Sequence, residues 1–188
     1  MNSKKLLALT ESAVMLALSF VLNLVVLWQM PLGGKVTLVS MLPVMLIGIR
    51  HGVKWGFATT FAYAILQTAL SFAKVASWGL TATVFIVCIL FDYLLPYALL
   101  GIPSLFRRGG KVMIIVGVSL ALVARFACHF LTGATIWANW VDDAPGAILS
   151  YSLIYNGQYM LPELVFTLIA VVVLMNVPHA KKLIAPVD

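Results

Sequence analysis

The chain has 188 residues, of which 63% are hydrophobic and only 10% charged, with a mean hydropathy of +1.07. Water-soluble domains carry about 25% charged residues, so this composition excludes a soluble globular domain and points to a polytopic membrane protein. The formal net charge of +6 is spread over separated loops instead of a folded basic domain, which argues against a nucleic-acid partner.

Six apolar runs are predicted as transmembrane helices of a single integral-membrane domain, residues 1–188. After the basic lead-in Lys4-Lys5, the first runs over residues 6–30. It continues beyond the core of a signal peptide and lacks a small-residue cleavage pattern, so no cleavable signal is expected. Within it, Ala13 and Ala17 are small residues four apart, with Ser12 and Ser19 nearby, and such spacing lets another helix approach closely. Pro31-Leu32-Gly33-Gly34-Lys35 is turn chemistry, and residues 36–49 form a second run, shorter than a straight span needs. The basic connector Arg50-His51-Gly52-Val53-Lys54-Trp55 leads into a third span over 56–72. A short loop ending at Trp78 precedes a fourth over 79–106, which contains Asp92. Arg107, Arg108 and Lys111 form the next connector, followed by a fifth helix over 112–138. An acidic loop with Asp142 and Asp143 precedes a sixth over 147–176, and Lys181-Lys182 follow it.

Six spans place both termini on one side. Lys4, Lys5, Arg50, Lys54, Arg107, Arg108, Lys111, Lys181 and Lys182 fall on that side, against Lys35 and Lys74 on the other. By the positive-inside rule the termini are cytoplasmic. The basic balance therefore reports topology.

Ionisable groups within spans are costly and should face the protein interior or a wet cavity. Arg125, His129, Gly133 and Trp137 follow at four-residue steps and form one slowly drifting helical ridge. Tyr151 and Asn156 lie just past the acidic loop, where a returning helix aims them at the same space. Gly133 removes a side chain between two flat rings, leaving room for a planar ligand against the backbone. Trp137 offers an electron-rich face to a cation, while Tyr151 and Asn156 supply directional hydrogen bonds. Asp92 reads either as a structural carboxyl or as the counter-charge of a cationic ligand. Arg125 and Glu163 are expected to pair at the pocket floor. Cys88 and Cys128 lie mid-run as small buried side chains, and no second His or Cys stands at ligand spacing to His129, so neither a disulfide nor a metal is expected. The inventory fits a planar, cationic, hydrogen-bonding small molecule. No nucleotide-binding motif is present, so energy from ATP would come from a partner.

The segments His129-Phe130-Leu131-Thr132-Gly133 to Trp137, and Tyr151-Ser152-Leu153-Ile154-Tyr155-Asn156-Gly157, resemble the thiamin-specific S components of energy-coupling factor (ECF) vitamin transporters, and the likeness extends over nearly the whole chain. The resemblance implies that His129, Gly133, Trp137, Tyr151 and Asn156 line a thiamin pocket, and that Asp92-Tyr93 matches an acidic-tyrosine pair in helix four. It implies that Ala13-x-x-x-Ala17 docks a membrane-embedded T component. It further implies a cell-membrane protein that captures thiamin with no cofactor and is energised by two ABC-type ATPase subunits, not an enzyme. Two departures stand out. The first outer loop reads Pro31-Leu32-Gly33-Gly34 where some members place a tryptophan lid, and Trp78 stands near the start of helix four in place of a tyrosine. A thiamin precursor, its pyrimidine moiety or a phosphorylated form is the alternative ligand. A self-sufficient transporter of a small organic cation, with Asp92, Glu163 and Arg125 as relay, and an intramembrane enzyme using His129 with Glu163 are the competing functions.

Overall fold

The computed structural model describes residues 3–31, 33–138 and 145–187; the acidic loop with Asp142 and Asp143 lies outside them. Helix α1 spans Ser3–Leu24, and strands β1 (Val26–Gln29) and β2 (Lys35–Thr37) follow. Then come α2 (Leu42–His51), α3 (Val53–Ala76), the helical rod α4 (Ala82–Phe106), α5 (Gly110–Thr135), α6 (Pro145–Asn176) and the short α7 (Pro178–Ile184). Four helices, α1, α4, α5 and α6, are long and apolar enough to cross a membrane. The protein is a mostly helical membrane protein.

Helix α1 is built inside out relative to a helix of a soluble protein. Its buried residues are Ala8, Ser12, Ser19 and Asn23, one narrow and largely polar stripe, while Leu6, Leu9, Val14, Leu18 and Val21 are exposed. Against lipid, apolar side chains face outward without cost, and small or polar groups make the close helix contacts. Near the start of α1, the Glu11 carboxylate takes hydrogen bonds from Arg50 Nε at 2.6 Å and Nη2 at 3.0 Å. His51 Nε2 lies 2.6 Å from the same carboxylate. Arg50 Nη1 also donates to the carbonyls of Lys182 and Ala185, and Val187 N–H donates to the Arg50 carbonyl at 2.9 Å. Through Arg50, Glu11 of α1 and the chain from Lys182 to Val187 are thus tied together at one end of the molecule.

Two boundaries are corrected here, within a fold that is all-α apart from one short hairpin. The first apolar run does not stay helical to residue 30. The helix stops at Leu24, and Val26–Gln29 pairs antiparallel with Lys35–Thr37. Gly33 closes the turn at φ 109°, a left-handed conformation that glycine adopts without strain. Gly34 is needed for packing, since a Cβ there would lie 2.6 Å from the Tyr159 ring, and Gly34 N–H donates to Tyr155 Oη at 3.2 Å. The second run is divided likewise: its start is β2, and only Leu42–His51 is helical. Ten residues rise about 15 Å, half of a roughly 30 Å hydrocarbon core. Leu42 through Ile49 are all buried, so α2 is a core helix wrapped by the longer ones.

The rod α4 leaves α-helical winding in two stretches, separated by the α-helical turn Leu95–Ala98, and a proline follows the first and lies inside the second. Ala82–Cys88 is α-helical, Ile89–Leu94 forms a π turn in which Leu95 N–H bonds to the Leu90 carbonyl, and Leu99–Phe106 is a 3-10 helix containing Pro103. Pro96 has no N–H for the Asp92 carbonyl four residues earlier, and its ring crowds that carbonyl. Widening the preceding turn relieves both problems, and the π turn carries Asp92 and Tyr93. At the other end, α2, α3 and the 3-10 segment touch backbone to backbone. A Cβ on Gly56 would fall 2.6 Å from Gly48 Cα, and one on Gly48 2.8 Å from the Ser104 Cβ. Gly56→Val is therefore expected to cost about 1–3 kcal/mol by overpacking, read as a lower melting temperature in detergent. Gly157→Ala, where a Cβ meets nothing within 4 Å, is expected not to lower the melting temperature and to raise it slightly, because alanine is the better helix former.

Candidate ligand-binding site

A cavity of about 500 Å³ lies between the β-hairpin, α3, α4, α5 and α6. Every ligand-contact residue expected from sequence lines it: Asp92, Tyr93, His129, Gly133, Trp137, Tyr151 and Asn156. The π turn supplies the first two, the ridge of α5 and its C-terminal extension the next three, and α6 the last two.

Asp92 is the hub of one wall. Its Oδ1 accepts from His129 Nδ1 at 3.1 Å and from the Thr132 hydroxyl, and its Oδ2 from Trp137 Nε1 at 2.9 Å. A carboxylate only accepts, so the proton on His129 that faces it is on Nδ1, and in the neutral imidazole Nε2 is left as an acceptor. Nε2 is buried and has no protein partner. Trp137 packs edge-to-face on Trp78, with ring centroids 5.3 Å apart at 87°, and Lys74 Nζ stands 5.9 Å from the Trp78 ring.

On α6, Tyr151 and Tyr155 are stacked with centroids 5.8 Å apart, and Tyr151 is the more accessible. Asn156 is buried, and its amide is already engaged. Nδ2 donates to the carbonyls of His129 at 3.2 Å and Ser152 at 2.9 Å, while Oδ1 accepts from Tyr159 Oη at 2.7 Å. Gly133 serves a purpose other than the expected one. A Cβ there would collide with Ser152 Oγ, whose hydroxyl donates to the Phe130 carbonyl at 2.8 Å. The missing side chain admits α6 against α5, and the space is occupied by protein instead of being left for a ligand.

The expected Arg125–Glu163 pair does not form. Glu163 accepts from Thr37 N–H at 2.5 Å and Thr37 Oγ1 at 2.7 Å, and Thr37 Oγ1 lies 2.7 Å from Ser40 Oγ. A backbone N–H and a hydroxyl from β2, invisible in a helical reading of that run, serve Oε1 of the carboxylate, while Oε2 is buried without a hydrogen-bond partner. Arg125 instead stands over the Tyr97 ring, 4.8 Å from its centroid, with Nη1 2.7 Å from Met41 Sδ. Asp92, Glu163 and Arg125 thus each have hydrogen-bond partners of their own.

The cavity also contains residues that the sequence reading passed over: Gln67, Lys35, Lys74, Tyr97, Thr132 and Tyr159. Thr132 was legible, three residues after His129 on the same face, as was Tyr159, three after Asn156 on α6; Lys35, Gln67 and Lys74 depended on knowing where the hairpin and α3 lie. Lys35 Nζ donates to the Asn23 carbonyl at 3.3 Å. Burial, and then the charges of Arg125 and Lys74, push its ammonium below the usual lysine range, with Glu163 opposing. Trp28, assigned to the first span by its hydropathy, stands on β1 beside the hairpin turn and is 66% exposed. The loop expected to face outward does carry an aromatic, upstream of Pro31. Among the described residues, no cluster of three or more His, Cys, Asp or Glu side chains has a metal-binding arrangement.

Comparisons with known proteins agree with this architecture. A family described as thiamine transporter protein matches residues 9–183. The thiamine transporter ThiT of Bacillus subtilis (strain 168) is 30% identical over 198 residues, covering 96% of this chain and 97% of that protein. A solved structure of ThiT from Listeria monocytogenes superposes with a TM-score of 0.69 at 20% identity, covering 97% of this chain and 99% of the other, a likeness of fold. With a family match over nearly its whole length, a relative aligned end to end and the same fold around the cavity, the chain belongs to the thiamine transporter protein family.

Proposed function

We propose that this protein is the substrate-binding S component of an ECF-type transporter, and that it captures thiamin from outside the cell membrane for uptake driven by a T component and two ABC-type ATPases. It is then a transporter subunit and not an enzyme. The observation that carries the reading is the wall of the cavity in which Asp92 lies against Trp137, itself packed on Trp78. A carboxylate beside electron-rich ring faces suits a flat organic cation such as a thiazolium. Tyr93, Tyr151 and the free Nε2 of His129 offer polar contacts for an aminopyrimidine. His129, Gly133 and Asn156 hold the two long helices at the separation this wall needs.

Six crossings with cytoplasmic termini remain part of the proposal. The four long apolar helices supply four; α3, 24 residues long but interrupted by Thr59, Thr60 and Gln67, supplies a fifth; the hairpin with α2 fills the sixth place. The tie between Glu11 of α1 and the segment after α7 supports an even number of crossings. In this topology, cysteines introduced as Lys4→Cys and Lys181→Cys should be labelled by an impermeant maleimide only in inverted vesicles, and Gly33→Cys only in intact cells. Labelling of all three in intact cells would overturn it.

Thiamin titrated into the purified protein should quench tryptophan fluorescence, and Trp137→Ala should abolish both the quench and calorimetric binding; unchanged affinity in that variant removes Trp137 from the site. Asp92→Asn should weaken thiamin binding about tenfold or more, the 1.5–3 kcal/mol of a charge-assisted hydrogen bond. Its amide N–H2 would also face donors from His129 or Trp137. Asp92→Glu should lose less, because it keeps the acceptors and the charge.

Docking of the T component is proposed on α1, where Ala13 and Ala17 are both exposed and the buried stripe lies elsewhere on the helix. Leucine at both positions should abolish uptake in cells containing the partner proteins while the isolated subunit still binds thiamin. Parallel loss of binding would assign the pair to the fold.

A further inference from the structure

Inside a bilayer the rotation of an apolar helix about its own axis is weakly set, because lipid accepts any apolar face and no hydrophobic force presses helix on helix. Helix α1 is such a case. Between Val14 and Met15 of α1 and Leu46 and Ile47 of α2 lies a groove of about 150 Å³, which Glu11 and Arg50 also line, so close packing does not fix α1 at this level. The polar pair does. Arg50 Nε and Nη2 meet the two oxygens of the Glu11 carboxylate, a bidentate arrangement with a defined plane, and His51 Nε2 lies on the same group. Glu11 and Ala13 stand about 200° apart around a helix of 3.6 residues per turn. A Glu11 held toward α2 therefore turns Ala13 outward, with Ala17 one turn further on, and both are exposed.

The other edge of the same guanidinium is held from far along the chain. Nη1 donates to the carbonyls of Lys182 and Ala185. That segment is itself fixed. Ile184 is buried in the apolar core around α2, Val187 N–H donates to the Arg50 carbonyl, and Arg107 Nη2 reaches the carbonyls of both Arg50 and Val187. One planar fork thus joins α1 to a strap made of residues 182–187. Neither Glu11 nor Arg50 lines the large cavity.

Resting on the reading that α1 docks the T component, we propose that Arg50 is a positioning residue for that docking. The strap orients its guanidinium, the guanidinium holds Glu11, and Glu11 sets the face that α1 presents to the partner.

Three measurements test this: thiamin binding by the isolated full-length subunit, uptake in cells containing the partner proteins, and the distance between spin labels at Leu9→Cys on α1 and Val173→Cys on α6, both exposed positions. Glu11→Gln, Arg50→Gln and Ile184→Ser should each lower uptake about fivefold or more, an ordinary coupling between sites. Each should also broaden the distance distribution while thiamin Kd stays unchanged. Arg50→Lys keeps the charge at Glu11 without the planar fork and should lose less uptake. Val187→Pro removes the N–H that reaches the Arg50 carbonyl and alters no core side chain, so it decides the strap's part if Ile184→Ser disturbs the fold. Full uptake in Glu11→Gln and Arg50→Gln, whatever the distances show, would overturn the proposal. Full uptake in both strap variants would overturn the part of residues 182–187. Parallel loss of thiamin binding in Glu11→Gln and Arg50→Gln would also overturn it, by assigning the junction to the fold. In each of these cases the docking reading stands if leucine at Ala13 and Ala17 still abolishes uptake; full uptake in that double variant removes the docking reading and this proposal together.

Discussion

A single carboxylate holds the two halves of the candidate site in register. Asp92 on α4 accepts from His129, Thr132 and Trp137, which span about two turns of α5 and its extension. In a low-dielectric interior an unserved carboxylate is expensive, so these donors are required by Asp92 as much as they are positioned by it. The arrangement traces back to Pro96. Because that residue cannot bond to the Asp92 carbonyl, the turn before it widens, and the wider turn carries the Asp92 side chain. Single π turns are found often at functional sites, and here a local backbone conflict is its physical cause.

The same demand for internal partners explains the lower half of the site. Glu163, inside the longest helix, is met by a backbone N–H of the hairpin; Asn156, one of the expected ligand contacts, uses its amide to tie α6 to α5. Such groups shape the cavity without each having to touch what enters it. Those with an atom left unpartnered are fewer: among the described residues around the site, His129 Nε2, Arg125 Nε and Glu163 Oε2. The chemistry of a ligand is better read from these than from the full lining.

Much of the site was legible in the sequence because helices impose a simple rule. Residues 125, 129, 133 and 137 share a face at four-residue steps, and Asp92, a lone acid in an apolar run, had to point inward. What failed had one common source. Hydropathy cannot tell a helix from a short buried strand, so residues 26–29 and 36–37 were absorbed into neighbouring spans. That hid the hairpin, moved Trp28 out of the loop and removed Thr37 as a partner for Glu163. Arg125 and Glu163 were then matched because each lacked any other visible partner. The role of Gly133 was misjudged for a related reason: its spacing on the ridge was plain, but the approach of Ser152 was not. Glu11 went unweighed because the arginine that meets it lies in a connector read only for its charge.

The contacts between Glu11, Arg50 and the segment after α7 separate two events in the life of the chain. Arg50 holds the carbonyl of Lys182, 132 positions downstream, so that part of the contact does not exist while the early helices are entering the bilayer. The Glu11 carboxylate on Arg50 and His51 needs only α1 and α2, and it joins the narrow stripe of small and polar side chains in holding α1. The first two helices are thus tied to each other early, and Arg50 gains its last acceptors only when a much later segment folds back beside it.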